Sequence, residues 1–249
     1  MPHTEVQIET ADGRCPTHVY HPDGSGPWPA VVVYMDGIGI RPALMEIAER
    51  IANAGYYVLL PNVFYRVEFD GSHGMKIFTD PELRRDLMTR VMPSASNANV
   101  MRDTEALLAH LAKQREAKTD RIGVTGYCMG GRLAMYAAGH FGDRIGAAAS
   151  YHGGGLATDA PDSPHRLAPQ MKARVYVAGA IKDPNFDDAQ KNRLEQALTE
   201  AGVDHTIETY NALHGFVPRD TPVHDEAATA KHWQTLLALF SDSLGTDRH

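Results

Sequence analysis

Short apolar runs alternate along the chain with longer segments of helical period, and this alternation limits the possible folds more than any other feature of the sequence. The run at 29–36, PAVVVYMD, is almost continuously apolar, which is typical of a strand covered on both faces. Strands that alternate with helices of this length predict a doubly wound, mostly parallel α/β sheet with helices on both faces. After an N-terminal hairpin at 5–22, the predicted strands lie at 29–36, 56–62, 121–126, 145–153, 173–180 and 205–210, and the predicted helices at 43–54, 99–115, 129–139, 186–201 and 223–240.

The length and composition favour one globular domain over residues 1–249. A chain of 249 residues with 43% hydrophobic and 22% charged residues can bury a sizeable core without disulfides or metals. The formal net charge of -7 and the pI near 6.0 leave no basic face for a nucleic acid. The sequence leaves the oligomeric state open.

The N-terminal residues and the hydropathy of the chain predict a cytoplasmic protein. The segment MPHTEVQIETADG lacks the basic region and apolar run of a secretory signal. No later segment approaches the roughly 18 consecutive apolar residues that a membrane span needs. We therefore expect neither export nor membrane insertion.

The two cysteines, Cys15 and Cys128, are too few for a disulfide framework or a zinc site of typical spacing. Cys128 lies in GYCMGG, where a predicted strand runs directly into a predicted helix. This is the G-x-S-x-G pattern of a sharp strand–nucleophile–helix turn, with sulfur in place of the hydroxyl. The glycines make room for the turn, and the helix N-terminus favours a thiolate. The pattern predicts that Cys128 is a nucleophile, although a free cysteine is often only a small buried apolar side chain.

A thiol nucleophile needs a base and an acid that orients the base, and both residue types follow Cys128 in the expected order. Asp183 comes just after the predicted strand at 173–180, and His214 just after the one at 205–210. Alone, Asp183 could be an ordinary turn or capping aspartate, and His214 is one of 13 histidines. Together the three residues predict a catalytic triad, because ligands bind at the carboxyl ends of the strands in such a sheet.

Two long segments interrupt the alternation of strands and helices. One covers 62–97, with only a short helix predicted near 81–91, and the other is the Gly/Pro-rich connection at 152–172. Loops of this length inside a compact domain are usually functional, so we expect 62–97 to lie near the active site. His73 and His152 lie in these segments and could border the pocket, although a loop histidine is more often an ordinary surface residue.

The motifs GYCMGGRLA, AGAIKDPNF and HGF, the last followed by PVHDEAA, resemble those of the dienelactone hydrolases. The resemblance extends from PAVVVYMDGIGI to the last helix, and the turn with its cysteine is its most specific part. It implies an α/β-hydrolase fold in which Cys128 is the nucleophile, His214 the base and Asp183 the acid. It also implies hydrolysis of dienelactone to maleylacetate in the breakdown of aromatic compounds, with no metal and no organic cofactor.

The loop after the first buried strand, YMDGIGI, departs from the family pattern. The family carries a glutamate there that pairs with the resting thiol, and the matching residue is Asp36, whose side chain is one methylene shorter. Asp36 could pair with the thiol or only shape the loop. The resemblance aligns Gly37 with the position whose amide N–H would form an oxyanion hole together with that of Met129.

Family members of the well-known type hold a substrate carboxylate with arginines from before the nucleophile and from just after the catalytic histidine. The resemblance makes Arg84, Arg85 and Arg219 candidates for this role. The spacing from His214 to Arg219 departs from the family pattern, and a surface arginine is usually solvated. The sequence therefore constrains the substrate less than it constrains the reaction.

These residues together predict a hydrolase of a small lactone or ester that works through an acyl-enzyme thioester. A thioesterase, a peptidase or another carboxylesterase on the same scaffold also fits the sequence. A non-catalytic small-molecule receptor, or a redox sensor that uses Cys128, is a further alternative. Such a sensor would need neither Asp183 nor His214, which favours the enzyme.

Overall fold

Eight strands form one continuous sheet in the computed structural model, which describes residues 2–69 and 71–245. The strands are β1 (His3–Thr10), β2 (Gly13–Tyr20), β3 (Trp28–Tyr34), β4 (Tyr57–Pro61), β5 (Ala117–Tyr127), β6 (Ile145–Tyr151), β7 (Arg174–Ala180) and β8 (His205–Tyr210). Their order across the sheet is β1-β2-β4-β3-β5-β6-β7-β8. β2 runs antiparallel to β1 and β4, and all other neighbouring pairs are parallel. The predicted mostly parallel α/β sheet is confirmed.

The burial of the strands explains their apolar sequences. β4 and β6 are buried along their whole length, and β3 is buried except at Trp28, because helices cover both faces of the sheet there. β8 lies at the edge of the sheet, and only Tyr210 in it is fully buried. Central strands therefore carry continuous apolar runs, whereas the edge strand mixes polar and apolar residues.

Seven α-helices are present in the described ranges, together with shorter 3-10 and π segments. No helix of residues 2–69 or 71–245 is long and apolar enough to cross a lipid bilayer. The helices are α1 (Pro42–Asn53), α2 (Pro81–Asp86), α3 (Met92–Ser94), α4 (Asn97–Leu111), α5 (Met129–His140), α6 (Asp188–Glu200) and α7 (Glu226–Leu244).

The helices α1 and α7 cover the same face of the sheet, and α5 covers the other. The guanidinium of Arg50 in α1 lies 4.2 Å from the ring centroid of Trp233 in α7. Phe240 of α7 packs against β5 at Gly123, whereas α5 meets the same strand at Gly126. Positions 123 and 126 of a strand point to opposite faces, so the two helices lie on opposite sides of β5.

The segment between β4 and α4 contains more helix than the sequence predicts. A 3-10 segment at Gly71–Phe78 and a π segment at Leu87–Val91 flank α2, and α3 follows. α2 begins where predicted, because the Asp80 carboxylate accepts the N–H of Glu82 at 2.8 Å and Pro81 occupies the first turn. With the π segment, the helical turns extend to Val91, where the predicted helix ends. The turns at Gly71–Phe78 and Met92–Ser94 bury few side chains, so they leave no clear apolar period in the sequence.

The elbow (residues 126–130) joins β5 to α5 through contacts that only glycine allows. A Cβ added at Gly126 would lie 2.1 Å from the carbonyl oxygen of Gly130. A Cβ added at Gly130 would lie 2.1 Å from the carbonyl oxygen of Tyr34 and 2.6 Å from that of Met35. The two glycines therefore let α5 start directly against the end of β3, which brings the elbow next to the loop that follows β3.

We predict that Gly130→Ala destabilises the fold by about 3 kcal/mol or more, because the backbone of β3 or α5 must move to admit the methyl group. Urea denaturation of the two proteins measures the loss of unfolding free energy. Gly202→Ala is the control, since its Cβ would meet nothing within 4 Å and only the positive φ would cost about 1 kcal/mol. A loss at Gly130 no larger than that at Gly202 would show that β3 and α5 can separate freely.

Candidate active site

Cys128 occupies the point of the elbow in a strained backbone conformation. Its φ of 54° and ψ of -114° lie in a region that residues other than glycine rarely adopt. Such strain costs on the order of 1–3 kcal/mol and persists only where the surrounding structure enforces it. Here the carboxyl end of β5 and the first turn of α5 fix both sides of the residue. The thiol is half-buried, in contrast to that of Cys15, which is fully buried.

The backbone around Cys128 is held by the neighbouring strand. The Cys128 N–H donates to the carbonyl oxygen of Tyr151 at 3.1 Å and to Nδ1 of His152 at 3.2 Å. Tyr127 pairs with Tyr151 in the parallel register of β5 and β6, so residues 128 and 152 leave the sheet side by side. Cys128 is also the N-cap of α5, where the free N–H groups and the helix dipole favour a negative charge.

Asp183 and His214 lie in the loops that follow β7 and β8. Nδ1 of His214 lies 2.7 Å from Oδ2 of Asp183, and the other carboxylate oxygen accepts the N–H of Asn185 at 2.9 Å. The Asp183 side chain is fully buried and the His214 side chain is 26% exposed. The Cys128 side chain lies close enough to the imidazole to raise the pKa of His214. The structure thus brings the three predicted residues into one chain of contacts.

The electrostatics of this chain of contacts favour a protonated imidazole. Burial lowers the pKa of His214, but its hydrogen bonds with Asp183 and Cys128, and the charges of both partners, raise that pKa to about 10. Burial likewise raises the pKa of Asp183, but the hydrogen bond and charge of His214, with the donors of Asn185, bring that pKa below its ordinary value. The arrangement therefore stabilises an imidazolium beside the sulfur.

Asp36 lies in the β3–α1 loop (residues 35–41) and is bound by an arginine of the same loop. Arg41 donates to Oδ1 of Asp36 at 2.8 Å and to Oδ2 at 2.9 Å, and the N–H of Ile38 donates to Oδ1 at 3.0 Å. Arg41 also donates to Asp220 at 2.5 and 3.1 Å. Asp36 is 4% exposed and Arg41 is 5% exposed. We call these three residues the Arg41 clasp; it joins the β3–α1 loop to the loop that follows His214.

The amides of Gly37 and Met129 lie on the two sides of the contact between β3 and the elbow. Gly37 follows Asp36, and Met129 is the first residue of α5. Gly130 holds the two segments together at the carbonyl oxygens of Tyr34 and Met35. Over residues 2–69 and 71–245, neither amide N–H donates a hydrogen bond to another protein group. Both therefore remain candidate donors for an oxyanion near Cys128.

All three candidate arginines lie on the surface of the protein. Arg84 and Arg85 are exposed on α2. Arg219 is 69% exposed and forms an ion pair with Glu46 of α1. Among the described residues, no hydrogen bond or ion pair joins any of the three to Cys128, Asp183 or His214.

The two loop histidines differ in position. His73 is exposed and lies beside Phe69, with 6.2 Å between the ring centroids. His152 is 1% exposed and lies directly against the nucleophile and the base. The sequence contained a signal for this, since the ends of adjacent parallel strands bring residues 128 and 152 together. The sequence held no comparable signal for Arg41, whose partner Asp220 is 179 residues away.

The residues around Cys128 define the chemistry that the site can support. Within 2–69 and 71–245, no group of three or more His, Cys, Asp or Glu side chains is placed to hold a metal. The residues that meet at Cys128 are instead a thiol, an imidazole and a carboxylate in series, flanked by two free amide donors. This arrangement can attack a carbonyl carbon and stabilise the oxygen that becomes charged.

Comparison with known proteins places the chain in a family. The dienelactone hydrolase family matches residues 15–244. A protein of Synechocystis sp., provisionally named a carboxymethylenebutenolidase, is 26% identical over 245 residues, which cover 97% of each chain. The carboxymethylenebutenolidase of Rhodococcus opacus is 26% identical over 247 residues, which cover 96% of this chain and 91% of that protein.

The solved structures support the same fold. A crystal structure from Klebsiella pneumoniae, provisionally named a dienelactone hydrolase, superposes with a TM-score of 0.84 at 24% identity and covers 96% of this chain and 98% of its own. This likeness confirms the predicted α/β-hydrolase fold. The family match, which spans most of the chain, goes further than the fold. The chain belongs to the dienelactone hydrolase family and is a hydrolase that acts on ester bonds.

Proposed function

We propose that the protein is a cysteine-dependent hydrolase of a small lactone or ester and that it works through an acyl-enzyme thioester. The observation that carries this proposal is the placement of Cys128 at the strained elbow beside His214, which Asp183 holds at 2.7 Å. The thiolate attacks the carbonyl carbon, and the amides of Gly37 and Met129 bind the resulting oxyanion. Collapse of this intermediate breaks the bond to the alkoxide, which takes a proton from the imidazolium of His214. In a lactone the released hydroxyl stays attached to the acyl group.

The pKa of His214 is suited to the second half of the reaction as well. Two of the influences that raise it, the hydrogen bond and the charge, come from Cys128. In the thioester the sulfur is uncharged and accepts only weakly, so both influences disappear and the pKa of His214 falls, although Asp183 still raises it. The neutral imidazole can then take a proton from water, whose oxygen attacks the thioester and releases the acid. Acylation of Cys128 thus changes His214 from a general acid into a general base.

The substrate class follows from the family relationship and from the charges near the site. The relatives named carboxymethylenebutenolidase favour a lactone of that kind. Dienelactone carries a carboxylate, and a guanidinium would recognise it through charge-assisted hydrogen bonds. Arg84 and Arg85 are exposed on α2, and Arg219 is paired with Glu46, which it would have to leave to bind a substrate. We therefore propose a small lactone or ester as the substrate. Whether the preferred substrate carries a charge is tested by comparing dienelactone with p-nitrophenyl acetate.

The Arg41 clasp sets the geometry of the proposed oxyanion hole. Asp36 immediately precedes Gly37, and Asp220 lies in the loop that follows His214. Arg41 holds both carboxylates through hydrogen bonds of 2.5 to 3.1 Å. The guanidinium therefore fixes the amide donor and the base relative to each other, although it touches neither.

The first prediction for this function concerns the nucleophile. Cys128→Ala should lower kcat/KM by roughly a thousandfold or more on any substrate found in a panel of small lactones and esters, including dienelactone and p-nitrophenyl acetate. Iodoacetamide should inactivate the wild type by labelling Cys128, since burial raises the pKa of Cys15 to about 12. Peptide mass spectrometry locates the label, and Cys15→Ala is the control. Full activity of Cys128→Ala would exclude the thioester route.

A second prediction concerns the imidazole. Cys128→Ala should lower the pKa of His214 from about 10, because the hydrogen bond and the charge of the sulfur are lost. The folded value lies above the ordinary 6.5, so His214 stabilises the fold fully below pH 6.5 and loses this effect as the pH rises through about 10. NMR titration of 13C-labelled histidine measures the shift, with Cys15→Ala as control. An unchanged pKa in Cys128→Ala would mean that the sulfur does not couple to the base.

A third prediction concerns the Arg41 clasp. Arg41→Met should destabilise the fold by about 3–5 kcal/mol, since it leaves the buried Asp36 carboxylate without its partner. The double variant Asp36→Asn, Arg41→Met should recover part of this loss, because the uncompensated charge is gone. Arg219→Gln breaks an exposed ion pair and should cost less than about 1 kcal/mol. Urea denaturation compares all four proteins, and equal losses for Arg41→Met and Arg219→Gln would refute the clasp.

A further inference from the structure

His152 lies between the nucleophile and the base, and the proposed mechanism gives it no role. It follows β6 directly, is 1% exposed, and has a positive φ of 41°. Its Nδ1 accepts the N–H of Cys128 at 3.2 Å. Its ring packs edge to face against that of His214, with 5.2 Å between the centroids, and against that of Phe216 at 5.0 Å. One buried side chain therefore contacts both residues on which the reaction depends.

The hydrogen bond defines the form of the imidazole. Nδ1 can accept the N–H of Cys128 only if it carries no proton, so the proton of neutral His152 must lie on Nε2. In the described part of the chain, Nε2 is buried and has no hydrogen-bond partner. A buried polar atom left unpaired is costly, which indicates that the ring is held in place by its other contacts.

The surroundings of His152 keep it uncharged. Burial, together with the neighbouring His214 and His232, lowers its pKa well below the ordinary value. Two uncharged rings also pack around it, namely those of Phe216 and of Tyr127, whose centroid lies 6.0 Å from that of His152. Protonation would turn Nδ1 into a donor that faces the N–H of Cys128. The neutral ring is thus the only form compatible with the observed elbow.

We propose that His152 is a positioning residue that holds the strained backbone of Cys128 and limits the rotation of His214, so that the sulfur and the imidazole stay aligned. The proposal rests on the proposed function, in which these two groups react. The hydrogen bond of His152 goes to the backbone of Cys128, and its ring packs against that of His214, so it acts through these two residues. Its loss should therefore lower kcat and leave KM nearly unchanged, because the substrate contacts remain while the aligned pair is populated less often.

Three variants separate the contributions of His152. His152→Asn keeps an acceptor near the position of Nδ1 and tolerates a positive φ. His152→Gly also tolerates this φ but offers neither an acceptor nor a ring. His152→Phe keeps a ring and removes the acceptor. The control is His140→Asn, at the exposed C-terminal end of α5 and far along the helix from the nucleophile.

Ester hydrolysis and thiol alkylation give the first readout. For His152→Gly we expect kcat to fall roughly tenfold or more, as for the loss of one hydrogen bond in the reactive state, with KM within about threefold. The rate of iodoacetamide alkylation of Cys128 should fall similarly, because the thiolate is the reactive form of a cysteine and an aligned imidazolium stabilises it. His152→Asn should recover most of both rates, and His140→Asn should match the wild type. The rates of His152→Phe should lie between those of His152→Gly and His152→Asn.

The amide of Cys128 gives a readout that does not depend on turnover. The chain has two cysteines, so 15N-cysteine labelling yields one signal for Cys128 and one for Cys15 as an internal reference. The Cys128 amide proton should move upfield in His152→Gly and His152→Phe and much less in His152→Asn. This spectrum also shows whether each variant is folded. If His152→Gly does not fold, the comparison of His152→Phe with His152→Asn still tests the role of the acceptor.

Two outcomes would overturn the proposal. The first is a His152→Gly or His152→Phe enzyme with wild-type kcat and an unchanged Cys128 amide. The second is a His152→Asn enzyme no better than His152→Gly, because a merely space-filling role would not respond to the acceptor. Failure of the proposed function gives a different result, namely an active Cys128→Ala enzyme, and in that case the alkylation and NMR arms still test the contact with His152.

Discussion

The close approach of α5 to the end of β3 is the contact on which the other features of the site depend. Gly130 permits it, since a Cβ there would lie 2.1 Å from the carbonyl oxygen of Tyr34. This approach puts the amide of Met129 beside the β3–α1 loop and turns Cys128 out above the sheet with a φ of 54°. Packing of backbone against backbone leaves no room for adjustment. The strain at Cys128 is thus a consequence of how closely a strand and a helix can meet.

Once the elbow is fixed, polar contacts between distant parts of the chain align the remaining groups. Asp183 orients His214 through a bond of 2.7 Å, and the Arg41 clasp connects the β3–α1 loop to the segment after His214. Both arrangements place charged groups out of water, where an unpaired partner is expensive. Their cost is tolerable because each buried carboxylate has a nearby cation or imidazole and a backbone donor. The geometry of the site is therefore maintained by buried charges, because breaking any of these pairs would leave a charge unpaired in the interior.

Local patterns in the sequence were sufficient to predict the sheet and the position of the elbow. The apolar run of β3 and the glycines around Cys128 carry their structural meaning within a few residues, so the strand and the turn could both be recognised. β5 begins earlier than predicted, at Ala117, because the polar residues at 118–121 are not buried and leave no apolar run in the sequence. The turns at Gly71–Phe78 and Met92–Ser94, which lie outside the short helix predicted near 81–91, were missed for a similar reason.

The candidate site could be predicted only in part, because some of its contacts depend on tertiary structure alone. Asp183 and His214 follow strands and could be placed by chain order, and His152 could have been placed by the register of β5 and β6. The pairing of Arg41 with Asp220 joins residues 179 positions apart through two loops, and no local pattern encodes it. The exposed positions of Arg84 and Arg219 likewise depend on how whole helices pack.

The position of Asp36 bears on how the thiol is held before a substrate arrives. A carboxylate that pairs with the thiol must be able to turn towards it, whereas both oxygens of Asp36 accept hydrogen bonds from Arg41 and one also accepts the N–H of Ile38. Turning away would leave the buried guanidinium with Asp220 as its remaining carboxylate, at a cost of about several kcal/mol. Cys128 already has an imidazole partner in His214. We therefore expect His214 to hold the resting thiol, while Asp36 acts on the loop that carries the amide of Gly37.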